Sequence, residues 1–133
     1  MKLTEERKEE VLALCKKLIS IRSYSGEEKG VADALKDFMK EKKFDQITTD
    51  KYGNVIGQIK GTKPGRKALF DGHMDTVPYG DEQLWDTNPR TPIETEGKIF
   101  ARGASDMTSG LAGMIWTLCK MQEKNSVPEL LWG

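Results

Sequence analysis

The chain has 133 residues, the size of one ordinary domain, and its 21 Lys and Arg balance its 21 Asp and Glu, so the formal net charge is zero. A chain without net positive charge has no long-range field that attracts nucleic acid or an anionic membrane. The charged N-terminus lacks the apolar segment of a signal peptide, and no apolar run approaches the roughly 18 residues of a membrane span, so we expect a cytoplasmic protein that binds neither nucleic acid nor membranes.

Two amphipathic helices are predicted in the first third of the chain. The first covers about residues 4–19, where apolar residues recur at the spacing of one helical face: Val11, Leu14, Cys15 and Leu18. The second follows Ser25-Gly26-Glu27-Glu28, which has the form of a capping box. Its inward residues are expected to be Val31, Leu35, Phe38 and Met39.

Short β-branched or apolar runs then replace the helical pattern. The segments QITT, NVIGQI and ALF are separated by turn compositions and predict three strands. Residues 76–92 contain three prolines and many polar residues, which indicates a long surface connection. The segment IETEGKIFA predicts a hairpin with its turn near Glu96 and Gly97.

A third helix is predicted from Met107 to about residue 124. It places Leu111, Met114, Ile115 and Leu118 on one face, and the segment RGASD stands just before it. Helices that pack on a mixed sheet make an α/β domain the expected fold class. Ligands in such folds bind beyond the carboxyl ends of strands, which is the kind of position that His73 and Asp106 occupy.

The two cysteines, Cys15 and Cys119, lie on apolar helical stripes and form no CxxC or Cys/His cluster. A free cysteine usually behaves as a small hydrophobic residue. We therefore expect two buried free thiols with no metal or redox role.

The only histidine of the chain, His73, lies in the segment GHMDTVP. If the preceding strand runs on into this segment, His73 and Asp75 project from the same side, because side chains of an extended chain alternate. A histidine that binds a metal through one ring nitrogen usually donates its other N–H to a carboxylate, and Asp75 has the right spacing for that role. The alternative is a loop histidine hydrogen-bonded to a neighbouring acid without any metal.

Asp106 is the second candidate metal ligand. It lies in a loop rich in Gly, Ala and Ser at the start of a helix, where a carboxylate can bridge two cations. Taken alone it is equally compatible with a helix N-cap. Because 33 positions separate Asp106 from His73, only the fold can bring them together.

The segments ALFDGHMDTVP and KIFARGASDMTSGLAG, with Gly80-Asp81 and Trp85 between them, resemble the M20 metallopeptidase family. This family contains acetylornithine deacetylase, succinyl-diaminopimelate desuccinylase, aminoacylase and carboxypeptidase G. The resemblance is collinear over about residues 4–124. It implies an α/β catalytic domain with two zinc or cobalt ions, a smaller lid domain often used for homodimer formation, and hydrolysis of amide bonds in peptides or N-acyl amino acids.

The resemblance also implies roles for individual residues. His73 would ligate the first metal ion, Asp75 would be the catalytic-site carboxylate that orients it, and Asp106 would bridge both ions. In the family, the general base is the first Glu of a Glu-Glu pair some thirty-odd residues beyond the bridging Asp. Thr108-Ser109 stand where the family usually has Lys-Gly, which leaves the carboxylate intact and changes the charge of the loop.

Several parts of the family pattern are not found in residues 1–133. After Asp106 there is no Glu-Glu pair, and the chain has no second histidine. We therefore expect residues 1–133 to form the N-terminal portion of the catalytic domain, without the lid. Since zinc normally requires three or four protein donors, we expect weak metal binding or none and no activity of this chain alone. The segment SVPELLWG after Asn125 lacks the smooth apolar strand expected next, which suggests a truncation or a shifted reading frame.

Two other interpretations are open. A non-catalytic fragment or interaction module would bind a partner through an apolar patch that the rest of the domain normally covers. A calcineurin-like metallophosphoesterase would use Asp71-Gly72-His73 as its D-x-H opening, but it also needs a later histidine that this chain does not have.

Two further residues have a functional and a structural interpretation. Trp85 can border a substrate cleft, although a tryptophan in a proline-rich loop more often fixes that loop to the core. Arg102 can face a substrate carboxylate, although an arginine beside an acidic loop often only balances charge.

Overall fold

The computed structural model describes residues 3–62, 64–123 and 130–132. Its three helices are α1 (Glu5–Ile19), α2 (Lys29–Glu41) and α3 (Ser109–Glu123). Its six strands are β1 (Gln46–Thr49), β2 (Val55–Ile59), β3 (Ala68–Phe70), β4 (Ile93–Thr95), β5 (Lys98–Phe100) and β6 (Leu130–Trp132). The three predicted helices, the three predicted strands and the predicted hairpin are all present.

Four strands form a mixed sheet in the order β1-β2-β6-β3. β2 pairs with β1 and with β6 in antiparallel orientation, whereas β3 and β6 are parallel. Parallel neighbours need a crossover connection, and α3 lies within the one that joins β3 to β6. The α/β class with helices packed on a mixed sheet is confirmed.

The segment after Asn125, which was expected to lack a smooth apolar strand, does contain a strand. Leu130–Trp132 form β6, which hydrogen-bonds to β2 on one side and to β3 on the other. A strand of three residues can form at this position because β2 and β3 supply backbone hydrogen-bond partners on both sides. A long apolar run is therefore unnecessary. Residues 124–129 lie outside the described part of the chain.

The core is formed by one apolar face of each helix together with β2. α2 buries Val31, Leu35 and Met39 as predicted, while Phe38 is only partly buried. Ile115 and Ala112 of α3 have no exposed surface at all. Since α3 follows directly on the segment that carries Asp106, its burial in the core fixes the position of that segment.

A polar contact joins α1 to α3 at the border of the core. The indole Nε1 of Trp116 donates to Glu10 Oε2 at 3.1 Å, and Lys120 Nζ lies 2.9 Å from the same oxygen. The hydrogen bond from Lys120 lowers the pKa of the Glu10 carboxyl, so that carboxyl remains ionised beside the ammonium group. The two helices are thereby held in a fixed register.

The β4–β5 hairpin turns at the two predicted residues. Glu96 and Gly97 have φ angles of 51° and 73°, which is the pair of positive values that a two-residue type I′ turn requires. The long connection before the hairpin is irregular, as predicted, apart from one 3-10 turn at Glu82–Leu84. In the part of the chain that the structure describes, no helix has the length and apolar character needed to cross a bilayer.

The capping box predicted for Ser25 and Glu28 was wrong. α2 begins only at Lys29, its N-cap residue is Glu28, and no side chain caps it. Glu28 Oε1 instead accepts a hydrogen bond from the backbone N–H of Gly26 at 2.7 Å. The hydroxyl of Ser25 instead donates to the carboxylate of Asp75.

Both cysteines are buried free thiols, as predicted. Burial raises the pKa of the Cys119 thiol to about 12, and it raises the pKa of Cys15 as well. Because only the thiolate reacts, we expect a thiol reagent at pH 8 to label the folded chain at least about 100-fold more slowly than the urea-unfolded chain. Absorbance of the released reagent measures this rate.

An exposed cysteine provides the control for the labelling experiment. Ser20 is exposed at the end of α1, and Ser20→Cys should add one thiol that reacts rapidly in the folded chain. Rapid labelling of the unaltered folded chain would contradict the burial of Cys15 and Cys119.

Candidate functional site

His73 and Asp75 lie in the loop that follows β3, beyond its carboxyl end. The ring Nδ1 of His73 lies 3.0 Å from the backbone carbonyl oxygen of Asp75 and 3.2 Å from its carboxylate Oδ1. A carbonyl oxygen can only accept, so Nδ1 carries a proton and donates it. The loop therefore fixes the orientation of the ring from its Nδ1 side.

Asp106 lies in the irregular turn Ala104–Thr108 that precedes α3. The backbone of Asp106 and Met107 is not helical, and the peptide bond between them is cis. The turn is closed by a 3.0 Å hydrogen bond from the backbone N–H of Thr108 to the carbonyl of Gly103. Because α3 begins at Ser109, Asp106 lies three positions before its first residue and is not its N-cap.

The two predicted metal ligands lie side by side. His73 Nε2 is 3.0 Å from Asp106 Oδ1, although 33 positions separate these residues. The side chain of Asp106 is 89% exposed and that of His73 is 46% exposed, so both are accessible from solvent. The imidazole and the carboxylate therefore form a direct, solvent-accessible contact between the two loops.

The two acids lie on opposite sides of the imidazole. Asp75 contacts Nδ1 and Asp106 contacts Nε2. Among the described residues, no three or more His, Cys, Asp or Glu side chains come together in a group able to hold a metal ion. The described residues therefore offer two donors in direct contact with each other, Nε2 of His73 and the Asp106 carboxylate.

The pKa values in this cluster follow from these contacts. Burial alone would lower the pKa of His73, but hydrogen bonds to Asp106 and to the Asp75 carbonyl raise it overall. The pKa of Asp75 is lowered, chiefly by the hydrogen bond from Ser25 and further by His73. Both shifts favour the charged forms, an imidazolium ring beside an ionised carboxylate.

Ser25 is the site residue that sequence reasoning missed. Its hydroxyl donates to Asp75 Oδ2 at 2.6 Å, across 50 positions of sequence. The segment around Ser25 was part of the family resemblance, but the local pattern indicated a helix cap. A hydroxyl satisfies either role equally well, so the sequence carried no signal that separates them.

A cavity of about 220 Å³ lies beside the cluster. It is lined by His73, Asp75 and Asp106 together with Arg102 and neighbouring small residues. The guanidinium carbon of Arg102 lies 4.8 Å from the centre of the Trp85 ring, and its buried Nε has no hydrogen-bond partner among the described residues. Trp85 Nε1 donates to the Tyr79 carbonyl at 2.9 Å, which supports the structural role of fixing the loop.

Gly103 allows the two loops of the site to approach each other. Its φ is +80°, and a Cβ added there would lie 2.7 Å from Thr76 Cγ2 and 3.1 Å from Thr108 Oγ1. We expect Gly103→Ala to lower the free energy of unfolding by about 2–3 kcal/mol, through left-handed strain and overpacking together. Urea denaturation measures this loss.

Gly97 separates the two contributions. It has a similar φ of +73° but nothing within 4 Å of an added Cβ, so Gly97→Ala reports the strain alone. We expect that variant to lose only about 1 kcal/mol. Equal losses for the two variants would show that the close approach at Gly103 costs nothing to disturb.

The chain is similar in sequence to a known peptidase family. The model of peptidase family M20/M25/M40 matches residues 69–130. The succinyl-diaminopimelate desuccinylase of Nautilia profundicola is 39% identical over 109 residues, which are 81% of this chain and 29% of that protein. All of the candidate ligands lie within the family match.

Solved structures agree in fold. The di-peptidase Dug1p from Saccharomyces cerevisiae superposes with a TM-score of 0.81 at 17% identity, over 96% of this chain and 32% of that one. The Bacillus subtilis YXEP protein, described as a dinuclear metal binding peptidase from the M20 family, gives 0.70 at 15% identity, over 97% and 35% of the two chains.

Fold and sequence together define the class of this protein as an α/β domain of the metallopeptidase type. Within that class, the chain belongs to peptidase family M20, a family of metal-dependent hydrolases of amide bonds. The chain spans about 30% of the length of the curated relative and about a third of the solved structures that it matches.

The residues present suit the metal ions of this family in kind but are too few to form a complete site. An imidazole nitrogen and a carboxylate oxygen are ordinary ligands of divalent transition metals, and here they meet 3.0 Å apart. A closed zinc site takes three or four protein donors. A closed zinc site would therefore need donors beyond those that the described residues bring together.

Proposed function

We propose that this chain is part of the catalytic domain of a dinuclear metal-dependent amidohydrolase, of the deacylase or dipeptidase type. The substrate class is a peptide or an N-acyl amino acid. One observation supports this above all: the fold brings His73 Nε2 and Asp106 Oδ1 to 3.0 Å of each other.

The roles of the site residues follow from their contacts. His73 and Asp106 would be metal ligands, with Asp106 exposed enough to offer a second oxygen to a second ion. Asp75 would fix the imidazole through both its carbonyl and its carboxylate, so that Nε2 is the nitrogen that faces the ion. The bound ions, zinc or cobalt, supply the Lewis acidity that polarises the scissile carbonyl and activates a water molecule.

The surroundings of the ligands also suit a substrate of this class. The 220 Å³ cavity beside His73 and Asp106 has Arg102 among its lining residues. A cation there is available to a carboxylate of an N-acyl amino acid or a peptide. We infer that the acidic end of the substrate enters this cavity.

The single histidine makes metal binding directly observable. We expect Co²⁺ at millimolar concentration to broaden the imidazole NMR signals of His73 selectively, and Asp106→Asn to weaken this effect. Because the described residues bring together two donors, saturation at micromolar Co²⁺ is not expected. Broadening that is the same in Asp106→Asn, or that spares His73, would reject a shared site.

An activity assay tests the second part of the proposal. The purified chain is incubated with Co²⁺ or Zn²⁺ and an N-acetyl amino acid or a dipeptide, and released amine is measured. We expect no turnover above background from the chain alone, and turnover from a longer polypeptide that carries the Glu-Glu segment. Turnover by the chain alone that is lost in His73→Ala would contradict the expectation that the chain alone is inactive.

A second candidate function is a non-catalytic interaction module. The observation that favours it is Leu69, which is 67% exposed on β3 at the edge of the four-stranded sheet. An exposed apolar side chain on an edge strand promotes association. Concentration-dependent dimer formation in light scattering, reduced by Leu69→Lys, supports this function, and a monomer at all concentrations contradicts it.

A further inference from the structure

The loop between α1 and α2 is tied to the loop of His73 by backbone contacts. The backbone N–H of Thr76 donates to the carbonyl of Ser23 at 2.7 Å, and Tyr24 and Thr76 form an isolated parallel bridge. Ser23 is itself buried. Because these contacts involve only the backbone, they bring Ser25 next to Asp75 whether or not the Ser25 hydroxyl forms a hydrogen bond.

The carboxylate of Asp75 divides its two oxygens between two partners. Oδ2 accepts the hydroxyl proton of Ser25 at 2.6 Å, and Oδ1 lies 3.2 Å from Nδ1 of His73. A short hydrogen bond from a hydroxyl to an ionised carboxylate belongs to the strong, charge-assisted kind. Held from behind in this way, the carboxylate cannot rotate freely away from the imidazole.

The hydroxyl of Ser25 has no structural task at the helix that follows. α2 begins four residues later at Lys29, and its N-cap residue is Glu28, so Ser25 does not cap this helix. The turn around Ser25 is closed without the hydroxyl, by the backbone N–H of Glu27 donating to the Tyr24 carbonyl at 2.7 Å. The contact with Asp75 is therefore the contribution of this side chain.

We propose that Ser25 is a positioning residue of the active site, which fixes the Asp75 carboxylate and through it the ring of His73. The inference deepens the proposed function and rests on it for its catalytic meaning. The ordered relay runs from Ser25 through Asp75 to His73, whose far nitrogen faces Asp106. Ser25 thus acts on the metal ligand through another side chain and does not touch the ion or the substrate.

The test measures the mobility of the His73 ring in the metal-free chain. NMR relaxation of the ring Cδ2–Hδ2 bond at one fixed pH gives an order parameter, and the chain has only one such ring. We expect a value near that of a rigid group, about 0.85, in the unaltered chain, and a fall toward about 0.6 in Ser25→Ala. Ser25→Thr keeps the hydroxyl and should restore the rigid value.

Two controls separate positioning from a general effect on folding. Ser20→Ala removes a hydroxyl that donates to the Lys17 carbonyl at the end of α1, and it should leave the His73 ring unchanged. Hydrogen exchange of the Thr76 amide reports whether the bridge between the two loops survives. We expect Thr76 to remain protected in Ser25→Ala while the ring becomes mobile.

Each outcome decides the proposal. An unchanged His73 order parameter in Ser25→Ala overturns it, and so does a mobile ring accompanied by loss of Thr76 protection, which would assign Ser25 to folding of the loop. If Ser25→Ala does not fold, Ser25→Cys, of similar shape but a weaker donor, is measured with the same expectations.

Metal binding is tested separately from ring mobility. In a longer polypeptide with the full ligand set, Ser25→Ala should lower Co²⁺ affinity by up to about 10-fold, the lower end for residues that support a ligand. Absence of Co²⁺ binding to His73 in the unaltered protein would contradict the proposed function. The effect of Ser25 on the ring would stand in that case, so the two failures are distinguishable.

Discussion

Replacing His73 with alanine is expected to lower amide turnover at least about 100-fold in a polypeptide that supplies the missing ligands. Residues that only support a ligand already contribute about 10- to 100-fold, and His73 faces the ion directly in the proposed site. Asp106→Asn should have a similar effect, because its carboxylate is the group that contacts Nε2 of His73. The measurement is kcat/KM for an N-acetyl amino acid at saturating Co²⁺.

The stability of these variants should change little, because the side chains of His73 and Asp106 are substantially exposed. Exposed substitutions away from special features usually change the free energy of unfolding by no more than about 0.5 kcal/mol. A thermal transition close to that of the unaltered protein would show that the loss of turnover is chemical. A large fall in the transition temperature would mean that the site residues act mainly on the fold.

Asp71→Asn is the matched control for the site carboxylate. Asp71 is two residues from His73 and exposed, but it lies on the side of Leu111 and Ile115, away from the 220 Å³ cavity. We expect this variant to retain nearly full turnover. A loss in Asp71→Asn without a loss in Asp106→Asn would contradict the proposed ligands and would favour the D-x-H ligand pattern of the metallophosphoesterases.

The helices and strands were predictable because their signals are local. The spacing of Val11, Leu14, Cys15 and Leu18 is enough to predict α1, because apolar residues at i, i+3, i+4 and i+7 lie on one face of a helix. The turn at Glu96-Gly97 was equally local, because positive φ values favour few residues. β6 was missed because the hydrogen bonds that define it come from strands more than 60 positions away.

The site was predictable only in part. Period-two alternation placed His73 and Asp75 on one side of an extended segment, and the contact between them is observed. No local rule could pair His73 with Asp106, and the family resemblance supplied that expectation. The nearer acceptor of Nδ1 is the carbonyl of Asp75, which no side-chain pattern can reveal because every residue has a carbonyl.

Ser25 illustrates how a correct pattern can lead to a wrong role. Ser-x-x-Glu before an apolar run has the residues of a capping box, and the helix does follow. The backbone bridge between Tyr24 and Thr76 places the hydroxyl beside a carboxylate that comes 50 positions later. Ser25 donates its hydroxyl proton to that ionised carboxylate in a strong, charge-assisted hydrogen bond, and the residue that caps α2 is Glu28 instead.

The position of Asp106 depends on how α3 is anchored in the core, and Ile115 is the residue that tests this anchoring. Its side chain is fully buried, without any exposed surface. We expect Ile115→Ala to lower the free energy of unfolding by about 3–4 kcal/mol, the sum of lost burial and the cavity left behind. For a small domain with a total of about 5–15 kcal/mol, this is a large fraction of its stability.

Ile93→Ala is the matched control, because Ile93 is 37% exposed on β4 and removes the same atoms. We expect that variant to lose about 1 kcal/mol or less, since much of its side chain is already in water. Urea denaturation of both variants gives the comparison, and Co²⁺ broadening of His73 reports on the site. If α3 holds Asp106 in place, Ile115→Val, which costs only about 1 kcal/mol, should already weaken the broadening while Ile93→Ala does not. Equal broadening of the His73 signals in Ile115→Val and Ile93→Ala would mean that the turn Ala104–Thr108 positions Asp106 without help from the core.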